Sequence, residues 1–578
     1  MAWGRGWTRT LVALGVFLLT VVPLGSAPLS WAVSPDQLEN AEKDPNNWLM
    51  YHGTYKAWRY SSLNQINRSN VKDLRVAWIF QGGRVEQGLE STPLVADGML
   101  YLVGSYNRVW ALDAATGKML WYHYPELDEA VVKRQTHSPY SRGIAIGHGN
   151  VYVGTLDGHL IALDMKTGKR VWDTVLVDSK KDTIGFTGAP LVVKDKVLIG
   201  QQAGEWPIRG RIFGVQAATG RKLWEFYTVG GPEDPKAMAT WGGDSWKYGG
   251  GGGWMTGSYD PQLNLVYWGT GNAAPLYDWA GPKWMTQGPR PGINLYITSA
   301  LALNPDTGKL AAYHQELPHD PWDFDSAAGE FLSVDRDGKK LLVHPNKSGF
   351  VFVYDRTNMK VENVWPLIYT YNFVKGIDPK TGKLIDPFYP VDGKKEFLCP
   401  YIAGGIGWNS GAYSPKTGLY YKIGQEWCME LEIIRTKPIT EPNAQLNIGA
   451  NFVGKHPPTG PAYGHLDARD PVTGALKWQV NFKYIPIASL LATGGDLLFL
   501  GDAEGIVHAY DAETGGELWS FRNGSGHRGG PITYAVGGKQ YVAVPSGWGS
   551  LVAGDFPVFW PETAGWSHSS ALVVFTLP

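Results

Sequence analysis

An eleven-residue phrase, Ala-x-Asp-x-x-Thr-Gly-x-x-x-Trp, returns along the chain and organises its hydrophobic pattern. Its clearest copies are residues 111–121 and 162–172. Apolar and polar residues alternate before the Asp and again between the Gly and the Trp, which predicts two strands joined by a tight turn at Thr-Gly. Weaker copies occupy residues 214–224, 302–312, 468–478 and 509–519. In the copy at 302–312, Asn304 replaces the Asp and Ala312 replaces the Trp.

The spacing of these copies predicts how the units are arranged. Thr116, Thr167 and Thr219 begin Thr-Gly pairs that are 51 and 52 residues apart. A fixed period of this size is typical of units repeated around an axis or along a solenoid. The closing Trp offers a large flat surface on which the next unit can stack. We therefore predict an all-β fold, a β-propeller, in which radial repetition leaves no long exposed sheet edge.

Length and composition agree with this prediction. The chain has 578 residues, with 73 glycines and 26 tryptophans. In a propeller each pair of neighbouring blades forms its own core, so residues 33–578 can form a single domain. The formal net charge of −1 gives no support for nucleic-acid binding.

The first 32 residues have the pattern of a signal peptide. Arg5 and Arg9 precede an apolar stretch at 11–24, and Ser30-Trp31-Ala32 presents the small residues of a cleavage site. The apolar stretch is short for a membrane span, so we expect an exported protein with no stable membrane insertion. An uncleaved anchor is the alternative.

The chain has two cysteines, Cys399 and Cys428. In an exported protein such a pair more often forms a disulfide than two free thiols. No Cys-x-x-Cys-His motif is present, so the chain is not expected to carry a covalent c-type haem.

Two irregular segments interrupt the strand pattern, at 230–254 and 273–291. Both are rich in Trp, which argues against disorder. Segments of this length in a compact domain usually serve function, and we predict that they cover one mouth of the propeller. The apolar residues 571–575 are strand-like, and we predict that they return to the first blade.

Candidate chemistry is concentrated in oxygen-bearing side chains near strand ends. Asp323 and Asp325 are two positions apart, so both can face one side of an extended segment. Glu205 and Asn272 each come just after a predicted strand. Carboxylate and amide oxygens gathered at one mouth would form a site for a hard cation. Solvated turn carboxylates are the alternative that the residues themselves leave open.

The chain resembles the quinoprotein alcohol dehydrogenases, the methanol and ethanol dehydrogenase family that uses pyrroloquinoline quinone (PQQ). The similarity runs from Asn46-Asn47-Trp48 and residues 60–67 to the C-terminal strand. It therefore covers essentially all of the mature sequence. The resemblance implies an eight-bladed β-propeller with tryptophan-docking motifs, which agrees with the repeats.

The resemblance also assigns roles to individual residues. It implies that Asp323 is the catalytic base, that Glu205, Asn272 and Asp323 bind the metal ion, and that Trp254 forms the floor under the quinone. Cys399 and Cys428 match a disulfide of the family. The further positions implied to contact PQQ are Glu90, Arg142, Thr187, Gly204, Lys347 and Asn409.

Asp325 distinguishes two groups within the family. Calcium-dependent relatives usually have Ala, Ser or Thr at this position, whereas lanthanide-dependent relatives have Asp. A trivalent ion attracts oxygen ligands more strongly and tolerates one more carboxylate than Ca²⁺ does. We therefore expect a lanthanide ion, with Ca²⁺ as the alternative, in which case Asp325 accepts a hydrogen bond behind the ligands.

Three features depart from the family pattern. Thr136 and His137 stand where many members have two adjacent cysteines above the quinone. Asn409 is displaced by two positions from the family's Asn-Trp pair. The segment 273–291 has no clear counterpart, which leaves the size of the substrate open.

The implied function is the oxidation of a small primary alcohol to an aldehyde in the periplasm, by hydride transfer to metal-bound PQQ. Asp323 would accept the alcohol proton, and electrons would pass to a separate soluble cytochrome c. A homodimer is compatible with the resemblance. One alternative is a PQQ enzyme for sugars or polyols. The other is a non-catalytic propeller scaffold, which the joint presence of Glu205, Asn272 and Asp323 disfavours.

Overall fold

The computed structural model describes residues 33–83, 86–134, 139–182, 184–274, 290–391, 393–434 and 449–578. The predicted signal peptide at 1–32 lies outside the described residues. Thr136, His137 and positions 275–289 of the second irregular segment also lie outside them. No helix among the described ranges has the length and apolar character needed to cross a lipid bilayer.

The described residues form eight sheets of four or five strands, which confirms the all-β propeller fold; closure of eight blades about one axis stays a prediction. We number the sheets in chain order. Sheet 1 contains Arg75–Phe80, Ile532–Val536, Lys539–Gly547 and Ser570–Thr576. Sheet 2 contains Leu94–Ala96, Met99–Val103, Val109–Asp113 and Met119–His123, and sheet 3 contains Ala145–Gly147, Asn150–Gly154, His159–Asp164 and Arg170–Val175. Sheet 4 contains Leu191–Val193, Lys196–Gly200, Arg211–Gln216 and Lys222–Tyr227.

The remaining sheets follow the same plan. Sheet 5 contains Ser258–Asp260, Leu265–Gly269, Ser299–Leu303 and Leu310–Gln315; sheet 6 contains Leu332–Arg336, Lys339–Pro345, Phe350–Asp355 and Lys360–Pro366; sheet 7 contains Ala412–Ser414, Leu419–Glu426, Tyr463–Arg469 and Leu476–Phe482; sheet 8 contains Tyr60–Ser61, Leu491–Thr493, Leu497–Gly501, Ile506–Asp511 and Glu517–Arg522. Outside them, Gly376–Ile377 pairs with Leu384–Ile385, and Lys395–Leu398, Cys428–Ile433 and Ala450–Lys455 form a three-stranded sheet.

Helices are short in the described part of the chain. The α-helices are α1 (Pro35–Glu39), α2 (Glu129–Arg134), α3 (Ser179–Asp182), α4 (Pro235–Met238) and α5 (Leu551–Phe559). The 3₁₀ helices are Ala41–Lys43, Val71–Asp73, Ser105–Asn107, Ser245–Tyr248, Ser326–Ala328 and Pro561–Gly565.

The repeated phrase forms a turn that the Trp of the preceding sheet covers. Asp164 Oδ1 accepts hydrogen bonds from the backbone N–H groups of Lys166 and Thr167, which fixes the turn. Gly168 then adopts φ +68°, a left-handed conformation that favours glycine. The ring of Trp121 lies against Gly168, and its Nε1 donates to Met165 O at 2.9 Å. The same contact pairs Trp78 with Gly117, Trp172 with Gly220, Trp224 with Gly308, Trp365 with Gly474 and Trp478 with Gly515.

Sheet 5 departs from this pattern, as its sequence indicates. Ala312 occupies the position of the Trp, and the ring of His314 on the same strand packs against Gly382. Gly382 ends another Asp-x-x-Thr-Gly turn, in which Asp378 Oδ1 accepts from Thr381 N at 2.8 Å. That turn belongs to the small hairpin of Gly376–Ile377 and Leu384–Ile385.

The first blade combines both ends of the domain. Arg75–Phe80 pairs antiparallel with Ser570–Thr576, and Trp78 lies opposite Val574. The prediction that the C-terminal strand returns to the first blade is confirmed. Hydrogen bonds therefore join the two ends of the domain in one sheet without a covalent link.

Burial falls from the early strands of a sheet to its last strand. In sheet 2, Leu94–Ala96 and Met99–Val103 are buried along their whole length, whereas in its last strand, Met119–His123, only Trp121 is buried. Continuous apolar runs are typical of strands covered on both faces, here by the neighbouring sheets.

The fold directs two kinds of loop toward the candidate site. The second strands of sheets 4, 5 and 6 end at Gly200, Gly269 and Pro345, and the loops that follow carry Glu205, Asn272 and Lys347. The connections between successive sheets carry Arg142, Trp254, Asp323, Asp325 and Asn409.

Cys399 and Cys428 form a disulfide with an S–S distance of 2.05 Å, as predicted. The bond lies at one end of the three-stranded sheet, in which Cys428–Ile433 is the central strand. It links the residue after Lys395–Leu398 to the first residue of Cys428–Ile433.

We predict that Gly168→Ala destabilises the protein more than Gly418→Ala. Both glycines adopt nearly the same φ, +68° and +69°, so both variants carry a similar backbone strain. A Cβ at Gly168 would lie 2.5 Å from the Trp121 ring, whereas a Cβ at Gly418 meets no atom within 4 Å. Overpacking predicts an additional loss of about 1–3 kcal/mol in the free energy of unfolding for Gly168→Ala. Chemical denaturation of both variants measures this difference. Equal denaturation midpoints would contradict the prediction that the Trp121 ring leaves no room for a Cβ atom at position 168.

Candidate active site

A cavity of about 230 Å³ collects most of the predicted site residues. Its wall combines charged side chains, two indole rings and an apolar section. The predicted residues that line it are Arg142, Gly204, Glu205, Trp254, Asp323, Asp325, Lys347 and Asn409.

Carboxylates and one ammonium group form the charged part of the wall. Lys347 Nζ lies 3.0 Å from Asp323 Oδ2 and 3.8 Å from Asp325 Oδ2. Burial raises the pKa of Asp323 well above its ordinary value, and the charges of Asp325 and Glu205 add to this effect. Burial also raises the pKa of Glu205 and of Asp325. Burial by itself would lower the pKa of Lys347, but Asp323 and Asp325 raise it above its ordinary value.

Asn272 joins this cluster through its backbone and its side chain. Its N–H donates to Asp325 Oδ1 at 2.6 Å. A Cβ atom added at Gly204 would lie 2.7 Å from Asn272 Oδ1, so a glycine before Glu205 lets the amide approach. Asn272 Oδ1 and Asp323 Oδ1 are buried and accept no hydrogen bond from the described residues. A buried acceptor without a partner costs about 1–3 kcal/mol.

These oxygens fit a hard cation. Carboxylate and amide oxygens are the ligands that Ca²⁺ and similar ions prefer, and bound cations satisfy acceptors that no donor reaches. Within the described part of the chain, no three His, Cys, Asp or Glu side chains are gathered as a metal-binding group by themselves. An ion at this position would therefore also need the amide oxygen of Asn272.

Arg142 is held between aromatic rings at the edge of the cavity. Its guanidinium carbon lies 4.7 Å from the centre of the Trp254 ring and 4.8 Å from that of Trp408. Nη1 donates to Thr187 Oγ1 at 2.9 Å, and Nε lies 3.6 Å from Glu90 Oε2. Thr187 and Glu90 therefore contact Arg142, and neither is among the described residues that line the cavity.

Glu90 is shared by two buried guanidinium groups. Arg528 Nη2 donates to Glu90 Oε1 at 2.8 Å, and Arg528 also lines the cavity. Two cations with one carboxylate leave an excess positive charge on this side of the cavity. Such an arrangement favours an anionic ligand, because guanidinium groups bind carboxylates in a planar geometry.

Trp254 provides an apolar surface on which a flat ring could stack. Its indole packs against a small buried cluster that includes Ala328, Met255 and Trp408. Charged carboxylates and cations lie around the edges of this apolar surface. A planar ligand with polar groups on its rim matches this distribution.

Several residues that line the cavity were not predicted from the sequence. Arg528 precedes Gly529 in an inter-sheet connection, as Arg142 precedes Gly143, and this shared Arg-Gly pair is the signal that could have revealed it. Asn409 Nδ2 donates to Arg528 O at 3.1 Å, which ties the predicted Asn to the missed Arg. The others include Tyr140, Gln202, Ile402, Trp408, Phe452 and the α5 residues Leu551, Val552 and Asp555.

Comparison with known families gives one match over most of the chain. The family model described as "PQQ: Glucose/ethanol/alcohol dehydrogenase, beta-propeller domain" matches residues 48–368 and 358–542. The two matched segments together cover most of the described sheets.

Individual relatives agree with that match. The quinoprotein alcohol dehydrogenase PedH of Pseudomonas putida is 36% identical over 608 residues, covering 99% of this chain and 98% of that protein. The quinohemoprotein alcohol dehydrogenase of Comamonas testosteroni is 37% identical over 536 residues, covering 89% of this chain and 74% of that protein. A solved structure described as a europium-containing methanol dehydrogenase superposes with a TM-score of 0.85 at 32% identity, covering 94% of this chain and 100% of the other.

We predict that Glu90→Gln lowers the free energy of unfolding by about 3 kcal/mol or more. The substitution preserves the shape of the side chain but removes the charge shared by Arg142 and Arg528. Removal of one partner from a buried ion pair typically costs about 3–5 kcal/mol. The matched control is Glu513→Gln, since Glu513 pairs with Arg68 at 3.2 Å while 63% of its side chain is exposed. Exposed pairs contribute little, so equal unfolding free energies for the two variants would contradict this prediction.

Proposed function

Because the chain belongs to the family of PQQ-dependent quinoprotein alcohol dehydrogenases, we propose that it oxidises primary alcohols to aldehydes in the periplasm. The observation that carries this proposal is the cavity that Asp323, Glu205 and Asp325 line beside the Trp254 ring. Asn272 does not line this cavity itself, but its backbone N–H donates to Asp325. A separate soluble cytochrome c is the proposed electron acceptor, since the sequence contains no Cys-x-x-Cys-His motif.

The periplasmic location is supported by two independent features. Residues 1–32 have the charge, apolar stretch and small residues of a signal peptide. Cys399 and Cys428 form a disulfide, and such bonds persist mainly in oxidising compartments.

The residues present fit PQQ as cofactor. When bound, PQQ supplies the two-electron acceptor that the protein side chains cannot provide. Its flat ring would stack on Trp254, and its carboxylates would meet the excess positive charge of Arg142 and Arg528. Lys347 and Asn409 would contact its polar rim. Glu90 and Thr187 would act by holding Arg142 in place.

The proposed metal ligands are Glu205, Asn272, Asp323 and Asp325. Together these side chains carry three formal negative charges when they are ionised, which suits a trivalent cation better than Ca²⁺. The europium-containing methanol dehydrogenase that superposes on this chain supports a lanthanide at this position. Asp325 would also orient Asn272, whose N–H it accepts.

Asp323 would accept the hydroxyl proton of the alcohol at its carboxylate. Oδ1 receives no hydrogen bond from the described residues, and Lys347 Nζ holds Oδ2 at 3.0 Å. The ammonium group therefore fixes Oδ2, and the two lone pairs of Oδ1 would serve the metal ion and the alcohol proton. Burial of the cluster keeps bulk water away from the reacting hydroxyl.

We predict that Asp323→Asn abolishes turnover in a folded protein that still carries PQQ. Asn preserves the shape of Asp and tolerates φ +67°, but it lacks the basicity that proton abstraction requires. The control is Asp337→Asn, an exposed position with φ +52°. General-base catalysis contributes about 10²–10⁴-fold, so kcat should fall by at least that factor. A dye-linked assay normalised to PQQ content measures it, and wild-type turnover in Asp323→Asn would exclude Asp323 as the base.

We predict that the enzyme is more active with La³⁺ than with Ca²⁺, and that Asp325→Ser reduces this difference. The variant lacks one carboxylate, so its proposed metal ligands carry less of the negative charge that favours a trivalent ion. The experiment reconstitutes wild type and variant with PQQ, titrates each metal separately, and follows both activity and metal content. Full activity of the wild type with Ca²⁺ and no gain from La³⁺ would contradict the lanthanide proposal. If Asp325→Ser gains as much activity from La³⁺ as the wild type does, Asp325 is not a metal ligand.

A further inference from the structure

Helix α5 forms a wall of the cavity that the mechanism above does not use. Ser550 Oγ accepts from Ala553 N at 3.2 Å and caps the helix at its start. Leu551, Val552 and Asp555 line the cavity. Phe556 and Phe559 of the same helix are buried among aromatic rings, which anchors the wall to the domain.

Asp555 lies in an otherwise apolar part of this wall. The residues that line the same cavity from α5 and from neighbouring segments include Leu551, Val552, Ile402 and Phe452. Burial raises the pKa of Asp555 to about 6, although a hydrogen bond from Tyr401 opposes the rise. The surroundings of Asp555 therefore disfavour its charged form unless further donors reach it.

Tyr401 holds this carboxylate in one orientation. Its hydroxyl donates a hydrogen bond to Asp555. Its backbone N donates to Trp427 O at 3.0 Å, and its ring lies 5.0 Å from Trp427 and 5.4 Å from Phe559. Tyr401 and Trp427 are close in sequence to the two bonded cysteines, so the disulfide helps to fix both rings.

The carboxylate retains capacity for a further donor. An ionised carboxylate accepts about four hydrogen bonds, and the Tyr401 hydroxyl supplies only one. Keeping a charge in an apolar wall is unfavourable unless donors satisfy it. A ligand that enters the cavity with a hydroxyl group could supply the next donor.

We propose that Asp555 makes the cavity selective for primary alcohols that carry a second hydroxyl group. The proposal rests on the alcohol oxidation proposed above and specifies its substrate class. The reacting hydroxyl lies at Asp323, the second hydroxyl donates to Asp555, and the carbon chain between them contacts the apolar wall. The second hydroxyl is not oxidised; it positions the substrate.

The test compares 1,4-butanediol with 1-butanol, which has the same carbon chain but no second hydroxyl. In the wild-type holoenzyme we expect a higher kcat/KM for the diol. Asp555→Leu should lower kcat/KM for the diol by about tenfold to a hundredfold, since hydrogen bonds to charged groups are worth about that factor. The value for 1-butanol should stay the same or rise. The loss should appear mainly in KM, because Asp555 does not contact the reacting atoms.

Two further variants separate recognition from helix stability. Asp555→Asn preserves the size of the side chain and an acceptor for Tyr401, so it should lose only part of the diol preference. Tyr401→Phe removes the orienting hydroxyl and should likewise reduce diol preference without loss of 1-butanol turnover. The matched control on the same helix is Val558→Ala, because 52% of Val558 is exposed and it does not line the cavity. It should leave both substrates unaffected.

A binding measurement distinguishes failure of this inference from failure of the proposed function. Asp323→Asn loaded with PQQ and metal should bind the diol more tightly than 1-butanol in calorimetry, and adding Asp555→Leu should remove the difference. Turnover of both alcohols with no diol preference would overturn the Asp555 proposal and leave alcohol oxidation intact. Selective diol binding in a wild-type enzyme that oxidises neither alcohol would overturn the proposed function and leave the Asp555 subsite intact.

Discussion

The contact between a tryptophan ring and a glycine turn is the interaction on which the architecture depends. Trp121 covers Gly168 of the next sheet, and the same contact recurs between most neighbouring sheets. The contact requires a left-handed residue without a side chain, and the Asp and Thr of the repeat hold that residue in place. Large aromatic burial then stabilises each junction, and the pairing of Arg75–Phe80 with Ser570–Thr576 joins the two ends of the domain.

This arrangement allows unusual electrostatics at the cavity. Asp323 and Asp325 are buried beside the half-buried Glu205, a situation that like charges oppose unless cations compensate them. Lys347 provides one compensating charge, and the unpartnered oxygens of Asn272 and Asp323 are suited to a bound metal ion. The sheets hold these groups together because their own packing is extensive. The packing of the sheets therefore compensates for the free-energy cost of bringing these like charges together, as is common in active sites.

Positive charge is arranged differently on the other side of the cavity. Arg142 and Arg528 share Glu90, and aromatic rings cover the guanidinium group of Arg142. The pair is thus held rigidly with one charge in excess, which is suited to an anionic cofactor that must remain in a fixed orientation. The α5 wall adds a carboxylate, Asp555, in an otherwise apolar part of the same cavity.

The sequence by itself determined the repeat, the strand-turn-strand units and the return of the C-terminal strand, because these depend on local periodicity and on turn residues. The family resemblance also identified eight of the residues that line the cavity, including Trp254, Asp323 and Lys347. Tertiary structure alone decided that Glu90 and Thr187 lie behind Arg142, and that Arg528 and Asp555 enter the site. Glu90 and Arg528 are 438 residues apart, so no local pattern relates them. Their contact exists only because the fold brings two distant inter-sheet connections together, and there the direction of each side chain follows from its neighbours.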